Sequence, residues 1–145
     1  MKGSVMTTPE KNEWKGMAAP ENLDALQAFV EERLEAAGVP MKTRMKLSVA
    51  VEEVFVNIAS YAYAPGTGSA AVRLELSDAP AAVTVTFADR GRPYDPLGKT
   101  DPDVTLGADE REIGGLGIYM TKKLMDELRY EYRDGQNILT LGKRL

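Results

Sequence analysis

The stretch VAVEEVFVNIASYAY, residues 49–63, is largely apolar but carries two adjacent carboxylates and, four residues after the second, an amide. Its apolar residues recur at helical spacing, which predicts a helix from Pro40 to about Tyr63. Glu53 and Asn57 are four residues apart and therefore share one face of that helix. A carboxylate can accept a proton and an amide oxygen can bind magnesium. Exposed surface residues are the more common explanation of this spacing when it is considered alone.

The segments around this helix predict an α+β fold. The patterns along the chain indicate, in order, two helices, two strands, a loop, a helix and two strands. This order fits neither alternating βαβ units nor a helical bundle. This order predicts a two-layer α/β sandwich, in which a mostly antiparallel sheet carries the helices on one face. The predicted elements are a short strand at 14–18, helices at 20–38 and 40–63, strands at 71–77 and 81–89, a helix after the glycines at 114–117, and a closing hairpin around residues 134–136.

The composition limits the chemistry that the chain can carry. Its 145 residues, net charge of −4 and 43% hydrophobic content are typical of one globular domain. The absence of cysteine and histidine excludes thiolate and imidazole catalysis, so the expected general base is a carboxylate, with Lys or Tyr as the less common alternatives. The acidic charge argues against direct binding of nucleic acid, and no apolar run approaches the ~20 residues of a membrane helix. We therefore expect a cytoplasmic protein.

The segment FADRGRPYDP, residues 87–96, contains a second candidate group. A strand pattern ends at Asp89, and Gly91 follows two residues later. Glycine leaves room for a ligand beside the carboxylate, which can accept a hydrogen bond from an exocyclic amine such as that of adenine. A simple turn is the more common explanation of this segment alone, because Asp, Gly and Pro are frequent turn residues.

Glycines open the helix pattern that follows the long loop. In IGGLGIYM, residues 113–120, they precede a helix whose first N–H groups would suit a phosphate. The motif is neither a Walker loop nor a Rossmann fingerprint, and a hinge between loop and helix explains it almost as well. Residues 93–113 before it lack periodicity, and a structureless stretch of this length is often functional.

Taken in order, these motifs resemble those of the GHKL ATPase family, whose nucleotide-binding domain has the Bergerat fold. The stretches AVEEVFVNIASYAY, DRGRPYDP, DPDVTL and IGGLGIYMTKKLMDEL resemble its anti-sigma-factor serine/threonine kinase branch. The resemblance extends from about Trp14 to Lys143. It implies a single histidine-kinase-like ATP-binding domain at 14–145, preceded by a flexible arm at 1–13 and containing an ATP lid at about 97–113.

The resemblance also implies the roles of individual residues. Glu53 corresponds to the catalytic glutamate and Asn57 to the asparagine that binds magnesium and ATP. Asp89 corresponds to the aspartate that accepts a hydrogen bond from the adenine amine, with Gly91 lining the adenine pocket. Thr140 corresponds to a threonine that supports Asp89 and contributes to ATP binding. The glycine box on the phosphate side comprises Gly114, Gly115, Leu116 and Gly117.

Some positions match the family pattern less closely. Lys99 and Arg111 are candidate lid cations for the phosphates, but neither aligns with a fixed family position. Tyr61 stands where many relatives have a histidine, which removes any polar role of that histidine. Tyr94 stands where a phenylalanine is usual, which keeps the aromatic ring and adds a hydroxyl.

The activity implied by the resemblance is phosphorylation of a partner protein. The chain would use ATP and Mg²⁺ to phosphorylate an anti-anti-sigma protein of the STAS type, and would bind a sigma factor, so that transcription is regulated by partner switching. The resemblance leaves a homodimer open. The alternative is a nucleotide-dependent protein-binding module with little or no kinase activity. A catalytic fragment of a histidine kinase is disfavoured, because the sequence has no substrate histidine and no long dimerisation helix.

Overall fold

The computed structural model describes residues 12–78, 81–98 and 115–145. The helices in this part of the chain are α1 (Leu23–Ala36), α2 (Met41–Asn57) and α3 (Gly115–Leu124). The strands are β1 (Glu13–Met17), β2 (Ser69–Asp78), β3 (Ala81–Asp89), β4 (Glu127–Arg133) and β5 (Gln136–Arg144). Short 3-10 turns lie at Pro20–Asn22 and Pro96–Gly98, and a single π-helical turn, Ile58–Ala62, continues α2.

The described strands form one antiparallel sheet in the order β1-β2-β3-β5-β4. Together with the helices this arrangement confirms the predicted α+β sandwich. β2 pairs directly with β3, with Val72 opposite Phe87 and Leu74 opposite Val85. The sheet therefore brings the end of β3 beside the start of β5, where the candidate site lies.

The core lies between one face of the sheet and the helices. Side chains of successive strand residues point to opposite faces, and along β3 the buried members of this alternation are Val83, Val85 and Phe87. Apolar helix residues at helical spacing are buried against them: Leu26, Val30 and Leu34 in α1, and Leu47, Val51, Val54, Phe55 and Ile58 in α2 and its last turn. Leu23 and Phe29, which share the spacing of α1, are half-buried. Burial of this apolar surface holds the two layers together.

The predicted helix bounds are close to the observed ones, with one difference of kind. Pro20 begins a 3-10 turn that leads into α1. Gly38 follows the C-terminal end of α1 with a φ of 78°, a conformation that glycine adopts without a steric cost. The second helix was expected to continue to about Tyr63. Regular α-helical geometry instead ends at Asn57, and the following turn is π-helical. Apolar periodicity does not distinguish one wide turn from a regular one.

The closing hairpin has a two-residue turn. Asp134 and Gly135 both have positive φ, at 55° and 78°, which suits the twist of an antiparallel pair. Gln136 was expected in the turn but is the first residue of β5. This turn sets the register of β4 against β5, with Tyr132 opposite Asn137, and on the other side of β5 Asn137 lies opposite Asp89.

Two of the predicted segments lie mostly outside the described residues. Glu13, expected in the N-terminal arm, is the first residue of β1, and residues 1–11 are not described. Of the predicted lid at 97–113, the structure describes only Leu97 and the backbone of Gly98. Among the described helices, none combines the length and apolar character that crossing a membrane requires.

Candidate functional site

A pocket opens between the C-terminal end of α2 and the adjoining ends of β3 and β5. Its wall is mainly apolar, with a few amide, carboxylate and hydroxyl groups, as is common for small-molecule sites. The residues that line it are Val54, Asn57, Ile58, Tyr61, Ala62, Phe87, Asp89, Arg92, Tyr94, Pro96, Ile118, Tyr130, Asn137 and Leu139. The pocket thus brings together Asn57 and Asp89, two predicted site residues that are 32 positions apart in the sequence.

Asp89 is the last residue of β3, and it is buried, with an exposed fraction of 7%. Its Oδ1 accepts a hydrogen bond from the backbone N–H of Gly91 at 2.9 Å and another from Nδ2 of Asn137 at 2.9 Å. Among the described residues, no group donates to Oδ2. The carboxylate therefore retains one acceptor oxygen for a ligand that donates a hydrogen bond.

The Asn137 side chain is a site group that the sequence motifs did not predict. Its Nδ2 donates to Asp89 and to the backbone carbonyls of Arg92, at 2.9 Å, and Gly91, at 3.4 Å. Its Oδ1 accepts from the backbone N–H of Tyr94 at 3.1 Å and from the hydroxyl of Tyr130 at 2.5 Å. Both ends of the amide are therefore occupied, which leaves it one orientation.

Tyr130 is half-buried on β4 and completes this group. Its hydroxyl donates to Asn137 and accepts a hydrogen bond from the backbone N–H of Tyr94 at 3.2 Å. Burial is the main cause that raises the pKa of Tyr130 above its ordinary value, with smaller contributions from Asp95 and Asp89. The hydroxyl therefore keeps its proton at neutral pH and can act as a donor.

The structure does not bring Thr140 to Asp89. Thr140 lies opposite Thr86, three residues along β5 from the partner of Asp89. Because strand side chains alternate, an odd separation places Thr140 on the other face of the sheet from Asn137. The support expected from Thr140 is provided by Asn137. The sequence signal for Asn137 is the pair Asp134-Gly135. If these two residues form the whole turn, Asn137 lies opposite Tyr132 and on the same face of the sheet as Tyr130.

Gly91 lies where two segments meet too closely for a side chain. A Cβ atom there would lie 2.2 Å from the carbonyl oxygen of Ala62, in the π-helical turn. The next backbone N–H, that of Arg92, donates to the same oxygen at 3.0 Å. Gly91 thus allows the loop after β3 to pack against the end of α2, which forms the rim of the pocket.

Two tyrosines that depart from the family pattern meet in the pocket wall. The ring centroids of Tyr61 and Tyr94 are 6.4 Å apart, within the range of a favourable aromatic contact. Both line the pocket. Tyr63, two residues after Tyr61, fixes the same region, since its hydroxyl donates to the carbonyl of Ser69 at 2.6 Å and accepts from the N–H of Arg90 at 2.8 Å.

Glu53 and Asn57 form the helix side of the site. Asn57 lines the pocket, while Glu53 lies one turn earlier on α2 and does not. Burial, and to a lesser degree the charge of Glu52, raises the pKa of the Glu53 carboxyl above its ordinary value. Glu52 itself is exposed. Within the described part of the chain, neither Glu53 nor Asn57 has a side-chain hydrogen bond or ion pair.

The phosphate-side residues are described only in part. Gly115, Leu116 and Gly117 form the first turn of α3, and Ile118, the next residue, lines the pocket. The start of this helix therefore lies at the pocket's edge. Gly114, Lys99 and Arg111 lie outside the described residues.

The described site residues suit a magnesium ion only if a bound nucleotide supplies phosphate oxygens as further metal ligands. The described residues contain no group of three acidic or other strongly metal-binding side chains. Mg²⁺ is commonly held by one or two protein oxygens together with water and substrate phosphates. Asn57 could supply one such oxygen, because no described protein group occupies it.

Comparison with known proteins assigns this fold to a class of ATPase domains. The chain belongs to the family of histidine kinase-like ATPase domains, whose family model matches residues 17–143. It is similar to the serine/threonine-protein kinase BtrW of Bordetella bronchiseptica, with 35% identity over 100 residues, covering 69% of this chain and 70% of that protein. It is also similar to the serine-protein kinase RsbW of Bacillus licheniformis, with 29% identity over 133 residues, covering 87% of this chain and 81% of that protein.

Proposed function

We propose that this protein is an ATP-dependent serine/threonine protein kinase of the anti-sigma-factor type. Its substrate would be an anti-anti-sigma protein of the STAS type, and its regulatory target a sigma factor. The observation that supports ATP binding most directly is the buried carboxylate of Asp89, which has one oxygen occupied and the other open in a mainly apolar pocket. Its similarity to two protein kinases, BtrW and RsbW, supports the type of reaction.

The base of the nucleotide would bind in the apolar part of the pocket. Its exocyclic amine would donate to Oδ2 of Asp89, and its faces would pack against side chains such as Ile58, Phe87 and Leu139. A buried acceptor discriminates well, because a base that places its own acceptor there leaves both groups without a hydrogen bond. The pocket therefore favours adenine over a base with an oxo group at that position.

The phosphates would extend towards Asn57 and the start of α3. The N-terminal N–H groups of a helix attract anions, and α3 begins with Gly115, whose backbone admits a close approach. Magnesium, when bound, would neutralise charge on the phosphates, with the Asn57 side-chain oxygen as a ligand. Charge stabilisation and positioning are the main requirements of phosphoryl transfer.

Glu53 would act on the substrate hydroxyl as the general base. It shares a helix face with Asn57, one turn away, so it lies beside the phosphates rather than beside the base. The raised pKa of its carboxyl makes it a stronger proton acceptor than an ordinary glutamate. It would orient a serine or threonine hydroxyl of the partner protein and take its proton as the terminal phosphoryl group is transferred.

The test is transfer of labelled phosphate from ATP to small STAS-type proteins of the same genome, in the presence of Mg²⁺. We expect one of them to be phosphorylated on a serine or threonine, and the label to be lost when that residue is replaced by alanine. Calorimetry with ATP provides the control for the site. Absence of nucleotide binding would contradict the assignment of the pocket itself.

One observation favours a second function, that of a nucleotide-dependent binding module. Glu53 does not line the pocket, so a nucleotide bound there would not depend on the proposed catalytic group. In that case ATP or ADP would set the affinity for a partner protein. Tight ATP binding, with no transfer to any STAS-type protein and a partner affinity that differs between ATP and ADP, would support the module over the kinase.

A further inference from the structure

The amide of Asn137 joins four parts of the site. It contacts Asp89 at the end of β3, the backbone of residues 91–94 in the following loop, and Tyr130 on β4, while Asn137 itself lies on β5. Its exposed fraction is 7%. A buried amide with donors and acceptors on matched sides is held in one orientation, because the flipped amide would place acceptor against acceptor and donor against donor.

The flipped orientation of the Asn137 amide would set like groups against each other. With Oδ1 and Nδ2 exchanged, the amide oxygen would face Oδ1 of Asp89 and the carbonyl of Arg92, which are acceptors. The amide nitrogen would face the N–H of Tyr94, a donor. The hydroxyl of Tyr130 donates to Oδ1 of Asn137, and this further hydrogen bond holds the amide in place.

We infer that Asn137, oriented by Tyr130, is a positioning residue that selects the base of the nucleotide. By donating to Oδ1 of Asp89 it fixes the rotation of the carboxylate and leaves Oδ2 as the acceptor that faces the ligand. A base with an exocyclic amine gains a hydrogen bond there, and a base with an oxo group does not. This inference rests on the proposed binding of ATP at Asp89, and it adds the residues that determine discrimination between bases.

The probe for this role is inosine triphosphate, which carries an oxo group where ATP carries the amine. The quantity to measure is the ratio of the two dissociation constants, Kd for inosine triphosphate over Kd for ATP. In Tyr130→Phe the ring remains and one hydrogen bond to the amide is lost. We expect the ratio to fall roughly 3- to 10-fold, the effect of one uncharged hydrogen bond. Weaker packing alone would weaken both nucleotides equally and leave the ratio unchanged.

A matched control is present on the same strand. Tyr132 lies two residues from Tyr130 on the same face of β4, has an exposed fraction of 47%, and makes no hydrogen bond among the described residues. Tyr132→Phe should leave the ratio as in the wild-type protein. Thermal unfolding of both variants shows whether each remains folded at the temperature of the binding measurement.

A second variant, Asn137→Asp, preserves the size of the side chain and replaces the donor by a carboxyl group. It sets two carboxyl groups against each other, so that Oδ1 of Asp89 loses its side-chain donor and keeps the backbone N–H of Gly91. We expect the ratio to fall about 10-fold or more, mainly through weaker binding of ATP.

The outcomes separate this inference from the proposed function. Unchanged ratios in both Tyr130→Phe and Asn137→Asp, or an equal loss of affinity for the two nucleotides, would overturn the selecting role while ATP binding by the wild-type protein stands. If the wild-type protein bound neither nucleotide, the proposed function would fail and the inference with it. A fall in the ratio in both variants, with none in Tyr132→Phe, supports the inference.

Discussion

The two sides of the site are built differently. On the sheet side, Asp89, Asn137 and Tyr130 are held to one another and to backbone groups by hydrogen bonds within the protein. On the helix side, Glu53 and Asn57 make no side-chain hydrogen bond or ion pair with any described residue. The sheet side is therefore preorganised before a ligand binds, and the helix side has polar groups that remain free for one.

This difference follows from what each side must do under the proposed function. Discrimination between bases requires a fixed acceptor, because a carboxylate that can rotate would turn away from an oxo group and reject it less strongly. Phosphoryl transfer requires groups that respond to a metal ion, phosphates and a protein hydroxyl, none of which is permanent. Substitutions on the helix side should therefore change phosphate transfer, and substitutions on the sheet side should change nucleotide binding.

The largest effect is expected from Glu53→Gln, which tests the catalytic role of the helix side. Loss of a general base should lower the rate of phosphate transfer by roughly 10²- to 10⁴-fold. The dissociation constant of ATP should stay within about twofold, because Glu53 does not line the pocket. Single-turnover transfer and calorimetry measure the two quantities. The matched control is the exposed neighbour, Glu52→Gln, and an equal loss of rate in both variants would contradict the assignment.

The next effect is expected from Asp89→Asn, which tests the sheet side. The substituted amide would have one acceptor oxygen and one donor nitrogen in place of two acceptor oxygens. Its oxygen would face the donor Nδ2 of Asn137, so its nitrogen would face the ligand. Because hydrogen bonds to charged groups contribute about 1.5–3 kcal/mol, we expect ATP to bind roughly 10- to 100-fold more weakly. Calorimetry measures this change. Unchanged affinity would show that the base does not bind at Asp89.

A smaller effect, on stability, is expected from Gly91→Ala. The added methyl group would lie 2.2 Å from the carbonyl oxygen of Ala62, so the loop must move away from α2. We expect the free energy of unfolding to fall by about 1–3 kcal/mol, as for other overpacked positions. Denaturant unfolding measures it. The control is Gly66→Ala, whose methyl group would meet its nearest atom, the carbonyl oxygen of Tyr63, at 3.5 Å; a similar loss there would refute the steric explanation.

The smallest effect is a displacement of the pH profile of transfer. The general base works only when deprotonated, and the pKa of Glu53 is raised, so the rate should fall as the pH decreases through that raised value. Glu52→Gln removes one of the two causes of the increase. We expect the acid limb of the profile to move to lower pH in this variant, with an unchanged plateau. A limb that does not move would show that the charge of Glu52 does not act on Glu53.

The sign for stability is the opposite of that for activity. A carboxyl whose pKa is higher in the folded chain than in the unfolded chain favours folding when protonated. The contribution of Glu53 is therefore fully present below the unfolded pKa, and it is lost as the pH rises through the folded value. Glu53→Gln should remove this pH dependence from the unfolding free energy.

The sequence predicted the layers of the fold because hydrophobic periodicity records burial. The apolar spacing in 20–38 and 40–63 and the alternation in 81–89 correspond to faces that the structure buries, such as Val51, Val54 and Phe87. The pairing of Asp89 with Asn57 in one pocket was implied by resemblance rather than by spacing. No local pattern states that two residues 32 positions apart line the same pocket.

The details that were not predicted depend on register and on backbone geometry. Asn137, rather than the Thr140 implied by resemblance, is the partner of Asp89 because of the register of β5 against β3, in which Thr140 lies three residues away on the other face. The π-helical turn after Asn57 is a one-residue difference. Periodicity tolerates such shifts at the ends of elements, and the candidate site lies at those ends.

The π-helical turn at Ile58–Ala62 also restricts how the length of this chain can change during evolution. Deleting one residue there, such as the exposed Ser60, would allow a regular helix to continue, but it would rotate every later residue by about 100°. Tyr63 would lose its place between Ser69 and Arg90, and Ala62 would no longer present its carbonyl to the loop at Gly91. Relatives with a shorter turn would need compensating changes in the loop after β3, so the lengths of these two distant segments should vary together.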